Sequence, residues 1–255
     1  NAPIRDVIKV EGDIVVPIDV RNIGMWLKAL LGSATTTGTG TLTHTFISGK
    51  SSLPSLSLET GLPDIPAWFV ASGVMVNSLQ VGFARSGAAN ATVGLIAQGE
   101  VKQAATIDST PTTRDILRFN QFQGSIKKGG TALGNVVSAQ LTYSNNLERI
   151  ETIRSDGKID GADPTVASLT GNLEVRFADT QLIDAATNNT PLELTFAYSI
   201  DATKRLTFIA HEVYLPKPKV SISGPGGIQA TFEWQAAKNV AANKMLTVEL
   251  LNDVT

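Results

Sequence analysis

The sequence predicts a mainly β (α+β) protein, in which two packed antiparallel sheets form a sandwich or barrel flanked by one or two short helices. Residues 78–83, 138–143 and 170–177 alternate strictly between apolar and polar side chains. This period of two marks strands with one buried face and one wet face. Charged residues make up only 17% of the chain, and Thr, Ser, Asn and Gly are abundant, which is typical of a β protein with many turns.

The first elements are a strand pair and an amphipathic helix. Residues 7–18 alternate around a Gly-Asp dipeptide, which predicts two short strands joined by a tight turn. Residues 21–31 follow the helical period, and Asp19 or Asn22 can cap this helix while Gly32 can end it. The predicted apolar face of the helix contains Ile23, Trp26, Leu27, Leu30 and Leu31.

The remaining elements are mostly strands. Residues 32–40 predict a flexible polar loop, and residues 112–119 and 179–186 predict short helices. Residues 145–164 are loop-rich and charged. Alternating runs predict strands at residues 42–47, 55–59, 74–84, 91–98, 136–144, 166–177, 191–199, 204–215, 229–236 and 245–251.

Composition excludes several classes of protein. The chain has no cysteine, so disulfides and thiolate metal sites are excluded. The formal net charge is −2 and no run of Lys and Arg exceeds two residues, which argues against tight nucleic-acid binding. No apolar stretch is long enough to predict a membrane span.

Catalytic and metal-binding patterns are scarce. His44 and His211 lie far apart in the sequence, and no Gly-x-Ser-x-Gly nucleophile motif is present. The acids of residues 156–163 do not match the spacing of an EF-hand, and we interpret them as a solvated loop. The sequence therefore predicts no enzyme, no cofactor and no metal.

An extracellular β-sandwich binding module, either an adhesin or a carbohydrate-binding domain, is the alternative function. Trp26, Trp68 and Trp234 would be the candidates for a sugar-binding platform. Their helix-like, proline-flanked and strand contexts favour anchoring in a core or an interface. A secreted hydrolase is a third class, disfavoured by the scarcity of histidine.

Several motifs occur together in a characteristic order. They are GDIVVP (residues 12–17), NIGMWLKALLG (22–32), THTF (43–46), LPSLSLE (53–59), SAQLTYSNNLE (138–148), GPGGI (224–228) and FEWQA (232–236). In this order the chain resembles the major tail tube proteins of tailed bacteriophages, especially the siphophage type. Each motif is weak alone, and the resemblance runs over nearly the whole chain.

The resemblance implies a structural virion protein without enzymatic activity. It implies a single domain, residues 1–255, whose hexameric rings stack into the hollow tail tube through which DNA is ejected into the host. It implies contacts with itself, with the tape measure protein and with tail terminator or distal tail proteins. Genomic DNA would pass without specific binding, and no membrane would be bound. The implied location is the phage tail, after assembly in the host cytoplasm. Distal tail, terminator and contractile-tail tube proteins share related folds and stay open as alternatives.

Four predicted strands, at 74–84, 91–98, 136–144 and 166–177, are the candidates for an inner barrel that closes across subunits. Their polar faces would line the lumen with Ser78, Gln80, Thr92, Ser138, Gln140, Thr142, Thr170, Asn172 and Glu174. A lumen with few cations would not retain phosphates, because each Lys or Arg contact adds affinity by counterion release. Arg176 departs from this pattern, and we expect it to pair with Glu174 of a neighbouring strand. The alternative is that these side chains form only the wet face of a sandwich.

Two polar segments are candidates for contacts between subunits or rings, at residues 32–54 and 145–164. Loops of this length are usually functional or disordered. In the first segment the candidate contact residues are Thr35, Thr36, Thr37, Gly38, Thr39 and Gly40.

Overall fold

A computed structural model of the chain describes residues 6–176, 180–218 and 229–254. These ranges begin with β1 (Val10–Pro17), α1 (Ile23–Leu31), β2 (Thr35–Thr39), β3 (Thr41–Ile47), β4 (Leu56–Leu62), β5 (Ala67–Phe83), β6 (Asn90–Ala97) and β7 (Gly99–Gln103). They continue with a 3₁₀ turn (Gln121–Gln123), β8 (Gly124–Lys128), β9 (Thr131–Ala132), β10 (Val136–Ser144), β11 (Glu148–Ile150), β12 (Gly161–Asp163), β13 (Ser168–Arg176), α2 (Gln181–Thr187), β14 (Leu192–Asp201), β15 (Lys204–Tyr214), β16 (Gln229–Ala236) and β17 (Leu246–Asn252).

Two antiparallel layers face each other. The first layer has the strand order β1-β6-β5-β10-β13-β16, and the second has the order β9-β8-β14-β15-β17-β3-β2. The layers join where Val213 and Tyr214 of β15 pair with the end of β16. The path of described strands has free ends, so the fold is a sandwich and not a closed barrel. A separate pair, β11 and β12, forms a small second sheet.

The core lies between these two layers. Phe83 of β5 stacks on Tyr198 of β14 with ring centroids 4.7 Å apart, and Phe196 of β14 lies 5.8 Å from Trp234 of β16. All four rings are buried. Burying each side chain of this size stabilises the fold by roughly 1.5–3 kcal/mol relative to leaving it in water.

Helix α1 confirms the predicted amphipathic helix. Its buried side chains are Ile23, Leu27, Ala29, Leu30 and Leu31. The side chain of Asp19, and not that of Asn22, satisfies the first turn, because Asp19 Oδ1 accepts hydrogen bonds from the N–H groups of Arg21 and Asn22, each at 2.9 Å. Gly32 ends the helix at φ 83°, and its N–H donates to the Lys28 carbonyl oxygen. No helix among the described residues is both long and apolar enough to cross a bilayer.

Most of the predicted strands are confirmed. β10 and β16 have the predicted bounds, and β5 and β6 form the predicted hairpin. α2 confirms the helix predicted at 179–186, although the described helix begins at Gln181. Residues 177 and 179, where the predicted strand ends and the predicted helix begins, lie outside the described residues. The motif at 224–228 lies outside them as well.

Two local predictions are wrong, for the same physical reason. The segment 7–18 contains one continuous strand and no turn, because β6 pairs with every residue of β1. The segment 112–119 is not helical: the Val20 N–H donates to the Leu117 oxygen, and the Phe119 N–H donates to the Ile18 oxygen. In both cases a distant segment of the chain satisfies the backbone groups that the local pattern assigned to a turn or a helix.

The segment predicted as a flexible loop at 32–40 contains strand β2. It forms a hairpin with β3, in which Thr39 is opposite Thr41 and Gly40 occupies the turn at φ 79°. This φ favours glycine. The secondary-structure prediction for this segment is therefore wrong, and its role in assembly stays a prediction.

A three-stranded arm extends the first layer. Strand β5 has 17 residues, and its second half, from Met75 on, pairs with β6 and β10 in the first layer. Residues 67–72 of its first half pair instead with β4 and β7. We call β4, β7 and this first half of β5 the arm. The two halves meet near Gly73, whose φ is 61°.

Candidate functional site

The nine residues predicted to line a lumen lie on one surface. They belong to β6, β5, β10 and β13, which are neighbours in that order. Thr92 lies beside Gln80, Gln80 beside Thr142, and Thr142 beside Thr170. The same outer side of the sheet carries Ser78, Ser138, Gln140, Asn172 and Glu174. We call the outer side of the first layer the polar face.

The polar face is open to solvent, while the opposite side of the same strands is core. Gln80 and Thr170 are exposed, and the other seven candidates are half-buried. The intervening side chains Leu79, Leu141 and Leu173 are at most 2% exposed. The alternation that predicted wet and buried faces is therefore confirmed, whereas the lining of a lumen by the wet face stays a prediction.

Two further strands widen the polar face beyond the prediction. Thr231, Glu233 and Gln235 of β16 stand beside β13 on the same side. At the other end, β1 contributes Asp13 and Val15, the second of which is 69% exposed. The alternation of β16 was visible in the sequence, but the order of strands in the sheet was not, because pairing between distant segments leaves no local pattern.

The charge of the polar face is mostly negative. Its acidic side chains are Glu11, Asp13, Glu174 and Glu233, and the strands of the first layer carry one cation on this side, Arg176. Glu174 accepts a 2.8 Å hydrogen bond from the Ser138 hydroxyl, and Glu11 pairs with Arg149. Arg176 forms no ion pair with Glu174 among the described residues, so the predicted pairing is not formed within the chain.

A shallow depression of about 620 Å³ crosses the polar face. Its lining includes Gln140, Thr142, Asn172, Tyr214 and Glu233, and no histidine, lysine or arginine. The Tyr214 hydroxyl donates to the Glu212 carboxylate at 2.7 Å, and this hydrogen bond raises the pKa of Tyr214 above its ordinary value. The depression therefore offers hydrogen-bonding groups but neither a nucleophile with a base nor a cationic anchor.

Both histidines have structural partners. His44 Nε2 lies 2.9 Å from the Val254 carbonyl oxygen, and its Nδ1 lies 2.9 Å from the Thr36 hydroxyl. His211 Nε2 lies 2.7 Å from the Thr247 hydroxyl. In residues 6–176, 180–218 and 229–254, no three His, Cys, Asp or Glu side chains are placed to hold a metal ion.

The acid-rich segment at 156–163 is an ion-pair cluster. Arg154 contacts Asp156 with two 2.9 Å hydrogen bonds and also pairs with Asp160. The hydrogen bonds from Arg154 hold the pKa of Asp156 far below its ordinary value. The pKa of Asp160 is lowered first by its hydrogen bond from Thr152 and then by Arg154. Asp156 and Asp160 thus bind the guanidinium of Arg154, which agrees with the interpretation of this segment as a solvated loop.

The three tryptophans do not share one surface. Trp234 is buried in the core, Trp26 is half-buried on α1, and Trp68 is half-buried on the arm. This placement agrees with anchoring and gives no support to a sugar platform.

The candidate contact residues 35–40 form β2 and the turn that follows it, at the edge of the second layer. Every residue of β2 is exposed, and among the described residues β2 pairs only with β3. Its free edge carries Thr and Gly without lysine, proline or a bulge, which are the usual protections of an edge strand. In the other candidate segment, 145–164, Glu148–Ile150 and Gly161–Asp163 form the small sheet.

One comparison with known proteins identifies a relationship. A family model described as "Phage tail tube protein" matches residues 1–236 of the chain. No curated protein matches the sequence. The matched range includes the polar face and the arm.

Proposed function

The chain belongs to the phage tail tube protein family and is a structural component of the tail, and from this premise we propose that it forms six-subunit rings stacked into a hollow tube that conducts DNA into the host. The polar face would line the bore. Before ejection the bore would hold the tape measure protein, and terminator and distal tail proteins would cap the two ends. Assembly would take place in the host cytoplasm, with no catalysis.

One observation carries this proposal. The polar face belongs to a continuous sheet whose two end strands, β1 and β16, each have an outer edge that is unpaired or nearly so in the part of the chain that the structure describes. Among the described residues, β1 pairs only with β6. β16 pairs along its length with β13, and only its last two residues also pair with β15. Unpaired edges invite association. Pairing β1 of one subunit with β16 of the next is a head-to-tail contact, and such contacts generate closed rings when the rotation closes.

The chemistry of the polar face suits the passage of DNA. Thr92, Gln80, Thr142 and Thr170 form an uncharged row across four strands. The acids that flank this row repel phosphate. The strands of the first layer add one cation, Arg176, and Arg149 of β11 is paired with Glu11. Because non-specific DNA affinity comes from neutralising phosphates, such a surface would let DNA slide without being held.

Electron microscopy of the purified protein over a concentration series tests the proposal. Hollow tubes with sixfold rings, and a reconstruction that places Gln80, Thr142 and Thr170 in the bore, are the expected result. Single capping rings that never stack would instead favour a terminator or distal tail role. Tubes in which these three side chains point into the wall would contradict the assignment of the bore.

A further inference from the structure

The arm carries apolar side chains that the described chain leaves partly exposed. Trp68, Phe69 and Val70, in its central strand, are all only half-buried. At the tip, where β4 turns into β5, Leu62 is 44% exposed and Ile65 is 69% exposed. Exposed apolar side chains in a contiguous group mark an interaction site.

The tip of the arm, residues 62–66, is rigid and carries a free acid. Pro63 and Pro66 fix two of its five φ angles, and the Ile65 N–H donates to the Leu62 oxygen at 3.1 Å. A loop that is already ordered loses little entropy on binding. Asp64 is exposed and has no ion-pair partner among the described residues.

The middle of the arm is also fixed. The Glu59 carboxylate accepts hydrogen bonds from the Thr106 hydroxyl and from the Ile107 N–H, both at 2.7 Å. These bonds tie the segment after β7 to strand β4. The tip is therefore presented on a braced support, as expected for a preformed binding element.

A pocket of about 450 Å³ lies between α1, the β2–β3 hairpin and the end of β17. Its size is within the range of small binding pockets. Met25, Phe46 and Leu250 give it an apolar floor, and Met25 is 57% exposed. Such a floor suits an aliphatic side chain.

The rim of the pocket is cationic. It carries Arg21, Lys28 and Arg114, and no carboxylate lines it. Arg21 is paired with Asp253 at 2.9 Å, while Lys28 and Arg114 have no ion-pair partner among the described residues. The unpaired charges favour an occupant that combines an acid with apolar side chains.

We propose that the arm tip of one copy docks into this pocket of a second copy. Ile65 and Leu62 would cover the apolar floor, and Asp64 would face Lys28 and Arg114. The proposal rests on the self-assembly proposed above and names the two surfaces that meet. Because the tip and the pocket are different patches of the same chain, the contact is heterologous and repeats from copy to copy.

The exposed loop that contains Ile153 is a weaker candidate for occupying the pocket. Ile153 is fully exposed, but the nearby Asp156 and Asp160 are already bound to Arg154. The loop thus brings an apolar side chain with largely neutralised charge. It provides a matched control, because Ile153→Cys and Ile65→Cys both place a thiol at an exposed isoleucine.

Cysteine cross-linking tests the contact directly, since the chain has no cysteine of its own. Protein with Ile65→Cys is mixed with protein with Met25→Cys under oxidising conditions, and mixed disulfide dimers are resolved on a non-reducing gel. The Ile153→Cys protein with Met25→Cys is the control, and each single variant is also oxidised alone. We expect at least about tenfold more dimer from the first mixture than from the control.

A charge reversal is the second part of the test. Asp64→Lys should raise the concentration needed for assembly at least about tenfold, and adding Lys28→Asp and Arg114→Asp in the same chain should restore it. Tubes of normal stability from Asp64→Lys, without cross-linking, overturn the docking and leave the tube proposal standing. Cross-linking in a protein that forms neither rings nor tubes supports the docking and refutes the tube. No self-association of any kind overturns both.

Discussion

Gly171 shows how a single residue shapes the polar face from beneath. It lies in β13 opposite Trp234, and the indole ring occupies the space that a side chain would need. A Cβ at Gly171 would clash with the Gln140 carbonyl oxygen and lie 2.5 Å from Trp234 Cζ2. The glycine is therefore required for close packing of the core ring against the strand.

Gly171→Ala should lower the free energy of unfolding by about 3 kcal/mol, the upper part of the range for overpacking. The reason is that neither the Gln140 carbonyl oxygen nor the buried Trp234 ring can move away without a large energetic cost. Urea unfolding followed by tryptophan fluorescence measures the change. Gly82→Ala is the matched control, because nothing lies within 4 Å of a Cβ at that position. Equal stability of the two variants would refute the packing argument.

Asn145 connects three elements through its side chain. It is 3% exposed, and its Nδ2 donates to the Leu30 oxygen at 2.8 Å and to the Val76 oxygen at 3.2 Å. Asn145→Ala should destabilise the fold by about 1–3 kcal/mol, because two buried carbonyl oxygens lose their donor. Thermal unfolding, compared with the exposed Asn188→Ala, checks this. A variant as stable as the wild type would show that water replaces the amide.

Strand β2 is the element whose edge is least protected. Thr35→Lys with Thr37→Lys adds the protecting charges that edge strands usually carry. We expect this variant to fold normally and to need a higher protein concentration for assembly. The reason is that pairing a neighbouring strand with this edge would have to desolvate the added lysine charges. Sedimentation velocity measures the shift, with Val240→Lys at another exposed site as control. Unchanged assembly would remove β2 from the list of contact elements.

The loop at 148–163 should respond to acid. Because the pKa values of Asp156 and Asp160 are lowered in the folded chain, their pairing stabilises the loop above the ordinary Asp pKa of about 3.9 and is lost as the pH falls below it. The protection of amides in this loop, measured as the intrinsic exchange rate divided by the observed rate at the same pH, should therefore fall from pH 5 to pH 2.5. In Arg154→Ala the protection should already be low at pH 5. A wild-type loop that keeps its protection at pH 2.5 would contradict the role of the ion pairs.

The elements that the sequence predicted well are those with strict alternation. β10 and β16 match their predicted bounds, and the four proposed inner strands are neighbours in the sheet. Strand β4 of the arm was predicted, but the first half of β5 was missed because residues 67–74 are nearly all apolar or small and show no period of two. Its pairing with β4 and β7, and the pairing of β1 with β6, depend on contacts between distant segments that no local window contains.

At the scale of the whole molecule, the proposed tube makes the interaction with DNA depend on the polar face. Gln80→Lys, Thr142→Lys and Thr170→Lys together should make assembled tubes retain duplex DNA. Each phosphate contact formed should steepen the dependence of log affinity on log salt by about 0.9. Retention of a labelled duplex by tubes, measured against salt concentration, tests this. Val240→Lys is the control for added charge alone, and equal retention by both would exclude the polar face from the bore.

Strand β5 belongs both to the arm and to the polar face, and this continuity would give the proposed tube a mechanical property. In a tube held together as proposed, tension applied at the arm enters a peptide backbone that continues past Gly73 into the sheet around the bore. The load is then shared by the hydrogen bonds of that sheet and does not depend on side-chain packing alone. Bending of a long tail would therefore transmit force along the covalent backbone of β5 to the strands around the bore of each subunit.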